Sequence, residues 1–322
     1  MKTIGLLTSG GDAPGMNAAV RAAVRTASHY GLTPFAIEGG YDGMFRGIGR
    51  PLSPRDVSNI IQRGGTILRT GRSQEFLTPE GRAAAAENLR RWRIDGLALI
   101  GGDGTIRGAI ELAKIWDGKI IVIPSTIDND VWGTDFTIGF DTAINTALES
   151  IDKIRDTAEA FGRIFIIEVM GREAGFIALA VGIGGGAEEI LIPERHTDLR
   201  EVSRQILSDR AKGKKSLILV AAEGNDAGCA RDVAGKLKEL GGIASHVTVL
   251  GHVQRGGSPT AADRMLATKL GAFAVESLMA GQSMMMVGER GGELKLTPLA
   301  DTVNNKKSVD SYLLKIARIL AE

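Results

Sequence analysis

Gly96-Leu-Ala-Leu-Ile-Gly-Gly-Asp-Gly-Thr105 is a short apolar run that breaks into a glycine-rich loop with one carboxylate and one hydroxyl. An apolar run of this length reads as a strand buried on both faces, which is how a parallel sheet covered by helices presents itself. Similar runs recur at Ile4 to Thr8, Lys119 to Ile123, Ile164 to Val169, Glu189 to Ile192, Ser216 to Ala222 and His246 to Leu250. Between them lie longer stretches of helical period. In Asp141 to Ala160 the apolar Ile144, Ala147, Leu148, Ile151 and Ile154 fall at spacings of three and four, a stripe for one buried helix face. The alternation predicts an α/β fold with doubly wound sheets. Val287, Leu294 and Leu296 around Gly291 and Gly292 predict a β-hairpin.

Nearly every apolar run is followed by a glycine or polar cluster: GGDAPG, GGDGT, PSTIDND, MGREAG, EGND and GHVQRGGSP. In an open α/β sheet these are the carboxyl ends of strands, the edge at which ligands bind. The 43 glycines thus gather in short loops with no collagen-like period. A chain of 322 residues with 43% hydrophobic content suits two lobes of similar size. No Pro/Ser linker separates them, so the lobes are expected to exchange chain segments. The expected division is 1–138 with 253–303 for a nucleotide-binding domain, and 139–252 with 304–322 for a sugar phosphate-binding domain.

Charge excludes some classes. With 39 basic and 38 acidic residues the net charge is +1, so nothing global attracts nucleic acid or an anionic membrane, and any anion site must be local. The sole cysteine, Cys229, rules out an internal disulfide framework and a thiolate metal cluster, and fits a reducing compartment. Without a signal-peptide pattern or a stretch long enough to span a bilayer, the expected location is cytoplasmic.

The clusters carry the chemistry. Gly10, Gly11 and Asp12 precede an Ala-rich helix from Met16, and read either as a phosphate cradle at a helix start or as a tight turn. Neither the GxxxxGK[ST] loop nor the HRD and DFG motifs of protein kinases occur. Gly101 to Thr105 lets backbone approach polyphosphate while Asp103 remains to hold Mg²⁺; a helix N-cap by Asp103 or Thr105 is the other reading. In an extended PSTIDND, Thr126, Asp128 and Asp130 alternate onto one face, as a general base and its partners require, whereas a surface loop would make them a pair of Asx turns. Met170, Gly171 and Arg172, then Glu223, then His252, Gln254 and Arg255 bring a guanidinium, an acceptor and cationic donors to three more strand ends. Such a set suits a phosphorylated sugar, although each charge alone reads as solvated or structural.

Together SGGDAPGMNAAVR, IGGDGT, PSTIDND, DKIRDTA, EVMGRE, KGKK, AEG and GHVQRGGSPTAADR resemble the bacterial 6-phosphofructokinase family over almost the entire chain. The resemblance implies two Rossmann-like domains in a homotetramer and transfer of the ATP γ-phosphoryl group to the 1-hydroxyl of fructose 6-phosphate. By motif, Asp128 corresponds to the base, Thr126 and Asp130 to its partners, Asp103 to the Mg²⁺ residue, and Arg72 and Arg172 to transition-state stabilisers. Gly11, Tyr41, Arg72, Ser73, Gly102, Gly104 and Thr105 are similar to the nucleotide site. Met170, Gly171, Glu223, Arg163, His246, His252 and Arg255 are similar to the sugar phosphate site, with Arg163 donated by a neighbouring subunit.

Arg21, Arg25, Arg55, Arg155, Glu188, Lys212 and Lys214 resemble the family's site for phosphorylated effectors; Arg21 and Arg25, one turn apart, also read as a solvated helix face. The family's usual arginine near position 54 is replaced here by Pro54 followed by Arg55. Further departures bear on chemistry. Ser125 stands where ATP users usually carry glycine and pyrophosphate users lysine, while Gly104 favours ATP. His246 stands where an arginine is usual, and imidazole, which titrates near ~6.5, supplies only part of arginine's permanent charge. Ala174 and Phe176 replace the usual Cys and Asp. A pyrophosphate-dependent enzyme and a catalytically weak metabolite sensor are the alternatives, and the combination of a base with a metal carboxylate speaks against the sensor.

Overall fold

The structure is a computed structural model and describes residues 1–321. In chain order the regular elements begin with β1 (Thr3–Thr8), α1 (Met16–His29), β2 (Thr33–Ile37), α2 (Gly40–Arg46), β3 (Gly49–Pro51), α3 (Pro79–Arg91), β4 (Gly96–Gly101), α4 (Asp103–Leu112) and β5 (Lys119–Pro124). There follow α5 (Phe140–Phe161), β6 (Ile164–Val169), α6 (Phe176–Gly184), β7 (Glu189–Leu191), α7 (Leu199–Ala211), β8 (Leu217–Ala222), α8 (Ala230–Gly241) and β9 (His246–Val249). The last are α9 (Ala261–Met279), β10 (Met285–Arg290), β11 (Glu293–Pro298), α10 (Leu299–Asn304) and α11 (Ser311–Ala321).

Two compact units share the chain. One holds Met1–Thr126, Val131–Thr142 and Arg255–Lys307; the other holds Ile127–Asp130, Ala143–Gln254 and the chain from Ser308 on.

The first unit is built on a seven-stranded sheet in the order β11-β10-β5-β4-β1-β2-β3. Its centre is parallel and its two margins, β3 and β11, are antiparallel. The apolar runs account for this: Ile120 to Ile123 and Leu97 to Ile100 are fully buried, and each such side chain taken out of water contributes roughly 1.5–3 kcal/mol. The hairpin of β10 and β11 turns at Gly291 and Gly292, both at positive φ. Thr78 caps α3, accepting from the N–H of Gly81, with Pro79 in the first turn where its missing donor costs nothing. From β1 the chain winds toward β2, and from β4 it winds the other way toward β5. The carboxyl ends of β1 and β4 therefore flank a topological switch point, where open α/β sheets bind ligands.

The second unit holds an all-parallel four-stranded sheet in the order β7-β8-β6-β9. Its core runs through Ile164, Ile166, Leu217, Leu219, Val233 and Leu237. The carboxyl ends of β6, β8 and β9 present Met170 to Arg172, Glu223 and Leu250 to His252 in turn.

Two strands escaped the sequence reading. Residues 33–37 and 49–51 form β2 and β3, although each run is broken by proline or glycine. Pairing with β1 and exposure at the sheet margin let a weak signal become strand.

Candidate active site

In the first unit, Ser9 leaves β1 and donates its N–H to Ile100 of β4 at 3.0 Å, so the two glycine loops lie side by side. Gly101 is forced: a Cβ there would stand 2.2 Å from Thr105 Oγ1 and 2.5 Å from the Ser9 carbonyl. Thr105 Oγ1 donates to that carbonyl at 3.2 Å, locking the first turn of α4 to the end of β1. The cap of α4 is Gly102, with no side-chain cap, so neither Asp103 nor Thr105 is spent as an N-cap. Asp103 is 46% exposed in the first turn and pairs with Arg107 at 2.8 Å. A Cβ at Gly104 would meet nothing within 4 Å, which leaves open space beside the carboxylate. An exposed first turn of this kind suits an anion, and the carboxylate suits a hard cation carried with it.

Gly10, Gly11 and Asp12 do not lie at the helix start. The cap of α1 is Gly15, and Ala13 and Pro14 intervene, so the loop bends before the helix begins. Arg255 fills the space beside Gly11: its Nη1 would be 2.3 Å from a Cβ there, and it donates to the Asp12 carbonyl at 3.2 Å. A residue expected among the sugar phosphate contacts thus rests on the β1 loop.

Arg72 is exposed at the end of the irregular stretch 52–74, and that stretch is heavily pinned. The Asn17 side-chain amide, buried in α1, donates to the carbonyls of Arg63 and Gly64 at 3.1 and 3.2 Å and accepts from the Ile67 N–H at 2.8 Å. Thr8 donates to the Arg69 carbonyl at 2.8 Å, and Thr70 to that of Gly10 at 2.9 Å. A long loop without secondary structure needs such anchors to hold one conformation. Asn17 carries no signal in sequence, because an amide in a helix start reads as a solvated polar residue. Ser73 accepts from the Phe76 N–H at 3.2 Å and so shapes the end of the same loop.

Tyr41 is buried, stacked on Phe76 with ring centroids 4.1 Å apart, and donates its hydroxyl to the Thr105 carbonyl at 2.7 Å. Burial pushes its phenol well above the ordinary range. Its place is beneath α4, whose Gly108 makes room for the ring.

PSTIDND is not an extended strand. Ile127 and Asp128 form a turn, and Asn129 takes φ 53, so the alternation of Thr126, Asp128 and Asp130 onto one face does not occur. Thr126 and Asp130 are half-buried, while Asp128 is buried. Ser125 is buried too, with its hydroxyl turned to the Ile138 carbonyl at 3.4 Å.

In the second unit, Arg172 Nε lies 3.5 Å from Asp128 Oδ2. Arg172 sits at φ 52, and the turn that puts it there is held by Glu223, whose Oε1 accepts from the N–H groups of Gly171 at 3.3 Å and Arg172 at 2.8 Å. Gly224 lets β8 approach this closely, since a Cβ would be 1.8 Å from the Arg172 carbonyl. The Met170 N–H donates to Oε1 of the fully buried Gln254 at 2.9 Å. His252 is exposed in the turn Gly251–Arg255. His246, on the marginal strand β9, stacks on Phe165 at 5.2 Å, and Arg163 covers the exposed Phe161 ring at 4.2 Å.

Of the expected effector residues in this unit, Glu188 gathers two cations: Lys214 at 3.3 Å and Arg155 at 4.0 Å. Arg155 also donates to the carbonyls of Gly185 and Gly186 at 2.6 and 2.7 Å. Lys212 turns instead to Asp209 at 3.8 Å. Arg21, Arg25 and Arg55 belong to the first unit, on α1 and in the stretch 52–74.

A doubly wound α/β chain with anion-ready glycine loops, one exposed carboxylate beside them, and a buried carboxylate against a guanidinium has the parts of a phosphoryl-transfer enzyme. The Phosphofructokinase family model matches residues 3–278. The chain is 56% identical over 321 residues to the ATP-dependent 6-phosphofructokinase 1 of Thermus thermophilus, covering 100% of both chains. It is 47% identical over 321 residues to the ATP-dependent 6-phosphofructokinase of Clostridium tetani, again covering 100% of both. Among solved structures, phosphofructokinase from Saccharomyces cerevisiae superposes with a TM-score of 0.90 at 37% identity, over 100% of this chain and 48% of that one. This chain therefore spans about half the length of the yeast chain. It belongs to the phosphofructokinase family.

Proposed function

We propose that the chain transfers the γ-phosphoryl group of ATP to the 1-hydroxyl of fructose 6-phosphate, giving fructose 1,6-bisphosphate and ADP. The observation that carries this reading is the buried Asp128 carboxylate with Arg172 at 3.5 Å, on strand ends that also carry Glu223 and Met170. Asp128 takes the hydroxyl proton as the oxygen attacks the γ-phosphorus and the bond to ADP breaks, with Thr126 and Asp130 as its partners. Arg172 and Arg72 offset the charge that develops on the transferred group.

Gly11, Gly102, Gly104 and Thr105 supply the nucleotide cradle, with Tyr41 and Ser73 shaping it. Asp103 is the residue for Mg²⁺. Its carboxylate would hold the ion brought in with the phosphates, in keeping with the preference of Mg²⁺ for oxygen ligands and water. When bound, Mg²⁺ neutralises phosphate charge. Met170, Gly171, Glu223, Arg163, His246, His252 and Arg255 serve the sugar phosphate. Arg155, Glu188 and Lys214, with Lys212, Arg21, Arg25 and Arg55, are assigned to phosphorylated effectors in a cytoplasmic homotetramer. No described helix is long and apolar enough to cross a membrane.

The test is product formation from fructose 6-phosphate and Mg²⁺ with ATP and pyrophosphate compared as donors. Turnover with ATP supports the reading. Turnover with pyrophosphate alone reverses the donor, and none with either overturns it.

A further inference from the structure

Asp263 lies in the first turn of α9, outside every loop assigned above, and is 1% exposed. Its carboxylate accepts three hydrogen bonds: from the Gly139 N–H at 2.8 Å, the Thr142 N–H at 2.8 Å and the Thr142 hydroxyl at 2.5 Å. The Thr142 hydroxyl accepts in turn from the Thr260 N–H at 3.0 Å, and Thr260 donates its own hydroxyl to Asp141 at 2.5 Å. One oxygen grips Gly139 and the other grips Thr142, so the carboxylate fixes both ends of that stretch together. Burial pushes its pKa up, with Asp141 adding to the rise, against the pull of the three donors. A buried carboxylate with no cation among these partners is costly, and the three donors that offset this cost all lie on Gly139 and Thr142, so the carboxylate and that stretch hold each other in place.

The stretch it grips braces the loop of the proposed base. Thr137 donates its hydroxyl to the Thr126 carbonyl at 2.7 Å, and the Ile138 N–H donates to the Pro124 carbonyl at 3.1 Å. Ser125 and Ile138 form an isolated parallel bridge. Sliding is blocked: Gly139 holds φ +104 with Ala13 Cβ only 2.6 Å from where a side chain would begin.

We propose that Asp263 is a positioning residue for phosphoryl transfer, acting through Gly139, Thr142 and Thr137 to fix the backbone of Ser125 and Thr126, from which the loop bearing Asp128 departs. This rests on the phosphofructokinase reading. An error of about 1 Å in a reacting group costs on the order of 10²-fold in rate, so a carboxylate that removes such freedom acts on kcat before it acts on binding.

The test compares Asp263→Asn, Thr137→Val and the double variant with wild type, each checked for cooperative thermal unfolding. Asp263→Asn keeps the shape but leaves one N–H facing an amide donor; Thr137→Val removes the hydroxyl that donates to the Thr126 carbonyl. In each single variant kcat is expected to fall about tenfold or more while KM for MgATP stays within about twofold. The double variant should lose much less than the product of the single effects, because both lie on one path. Wild-type kcat in folded Asp263→Asn, or fully multiplying losses, would overturn the proposal. If Asp263→Asn does not fold, Thr137→Val alone decides: wild-type kcat there overturns it, and a kcat loss at unchanged KM supports it. Wild-type protein with no turnover would overturn the functional reading itself, whereas active wild type with unaffected variants overturns only the positioning role.

Discussion

Arg172 sets its Nε 3.5 Å from Oδ2 of Asp128, joining a half-exposed guanidinium to a carboxylate with only 2% of its side chain exposed. A buried carboxylate needs a counter-charge, and one at this distance and exposure remains able to move toward a developing phosphoryl charge. Asp128→Asn removes the proposed proton acceptor and keeps the shape. Turnover is expected to fall by ~10²–10⁴ with binding of both substrates retained, as read by single-turnover kinetics beside calorimetry. Full rate in this variant would refute Asp128 as base.

Glu223 holds the Gly171–Arg172 turn with Oε1, and the proposed sugar phosphate site gives its Oε2 to a sugar hydroxyl. Glu223→Gln can still accept from both turn N–H groups through its carbonyl oxygen, so KM for fructose 6-phosphate is expected to rise about tenfold with a smaller change in kcat. Glu223→Ala releases the turn as well and should lower kcat too. Equal effects of the two variants on kcat would show that the turn does not depend on this carboxylate.

His246 stands exposed on marginal strand β9, stacked on Phe165. Arginine at this position keeps a stack on the ring and adds a permanent, forked donor for phosphate. His246→Arg is therefore expected to lower KM for fructose 6-phosphate severalfold at unchanged kcat. Unchanged KM would remove His246 from the sugar phosphate site.

Asp56 anchors the start of the stretch that carries Arg55, accepting from the Ser53 hydroxyl at 2.7 Å, the Ser53 N–H at 2.8 Å and Arg50 at 3.0 Å. These donors, the Ser53 hydroxyl first, hold its pKa at about 2. A carboxyl depressed by folding stabilises the folded state above its ordinary value of 3.8, and that contribution is lost as pH falls through about 2. Carboxyl titration by NMR should place its midpoint near 2. Ser53→Ala should move it upward; an unmoved midpoint would show that Ser53 is not the cause.

Much was legible in the sequence because the signals are local. The apolar runs at Gly96, Lys119 and Ile164 become β4, β5 and β6, since a strand buried on both faces needs no alternation to be recognised. The helical stripe from Asp141 becomes α5, and Gly291-Gly292 turns the hairpin of β10 and β11. Glycine loops after apolar runs sit at strand ends because helices in this architecture begin there. The residue types that phosphoryl transfer requires were equally visible, as were the motifs that mark the family.

What the sequence could not decide was the direction of side chains that depends on contacts distant along the chain. The turn at Asn129 replaced an expected extended PSTIDND, and long-range bonds such as Thr137 to Thr126 now hold the loop's start. Tyr41 lies buried under α4, where Gly108 opens a space for its ring. Asn17 and Asp263 look in sequence like ordinary polar residues; each is buried and bonds to backbone groups far away in the chain, and the buried Gln254 accepts from the distant Met170 N–H. The sequence determined which strands, loops and reactive groups exist, because propensity and short-range spacing are properties of neighbouring residues. Only the tertiary structure decided which polar side chains hold those groups in place, because burial and partner are set by segments that meet through folding alone.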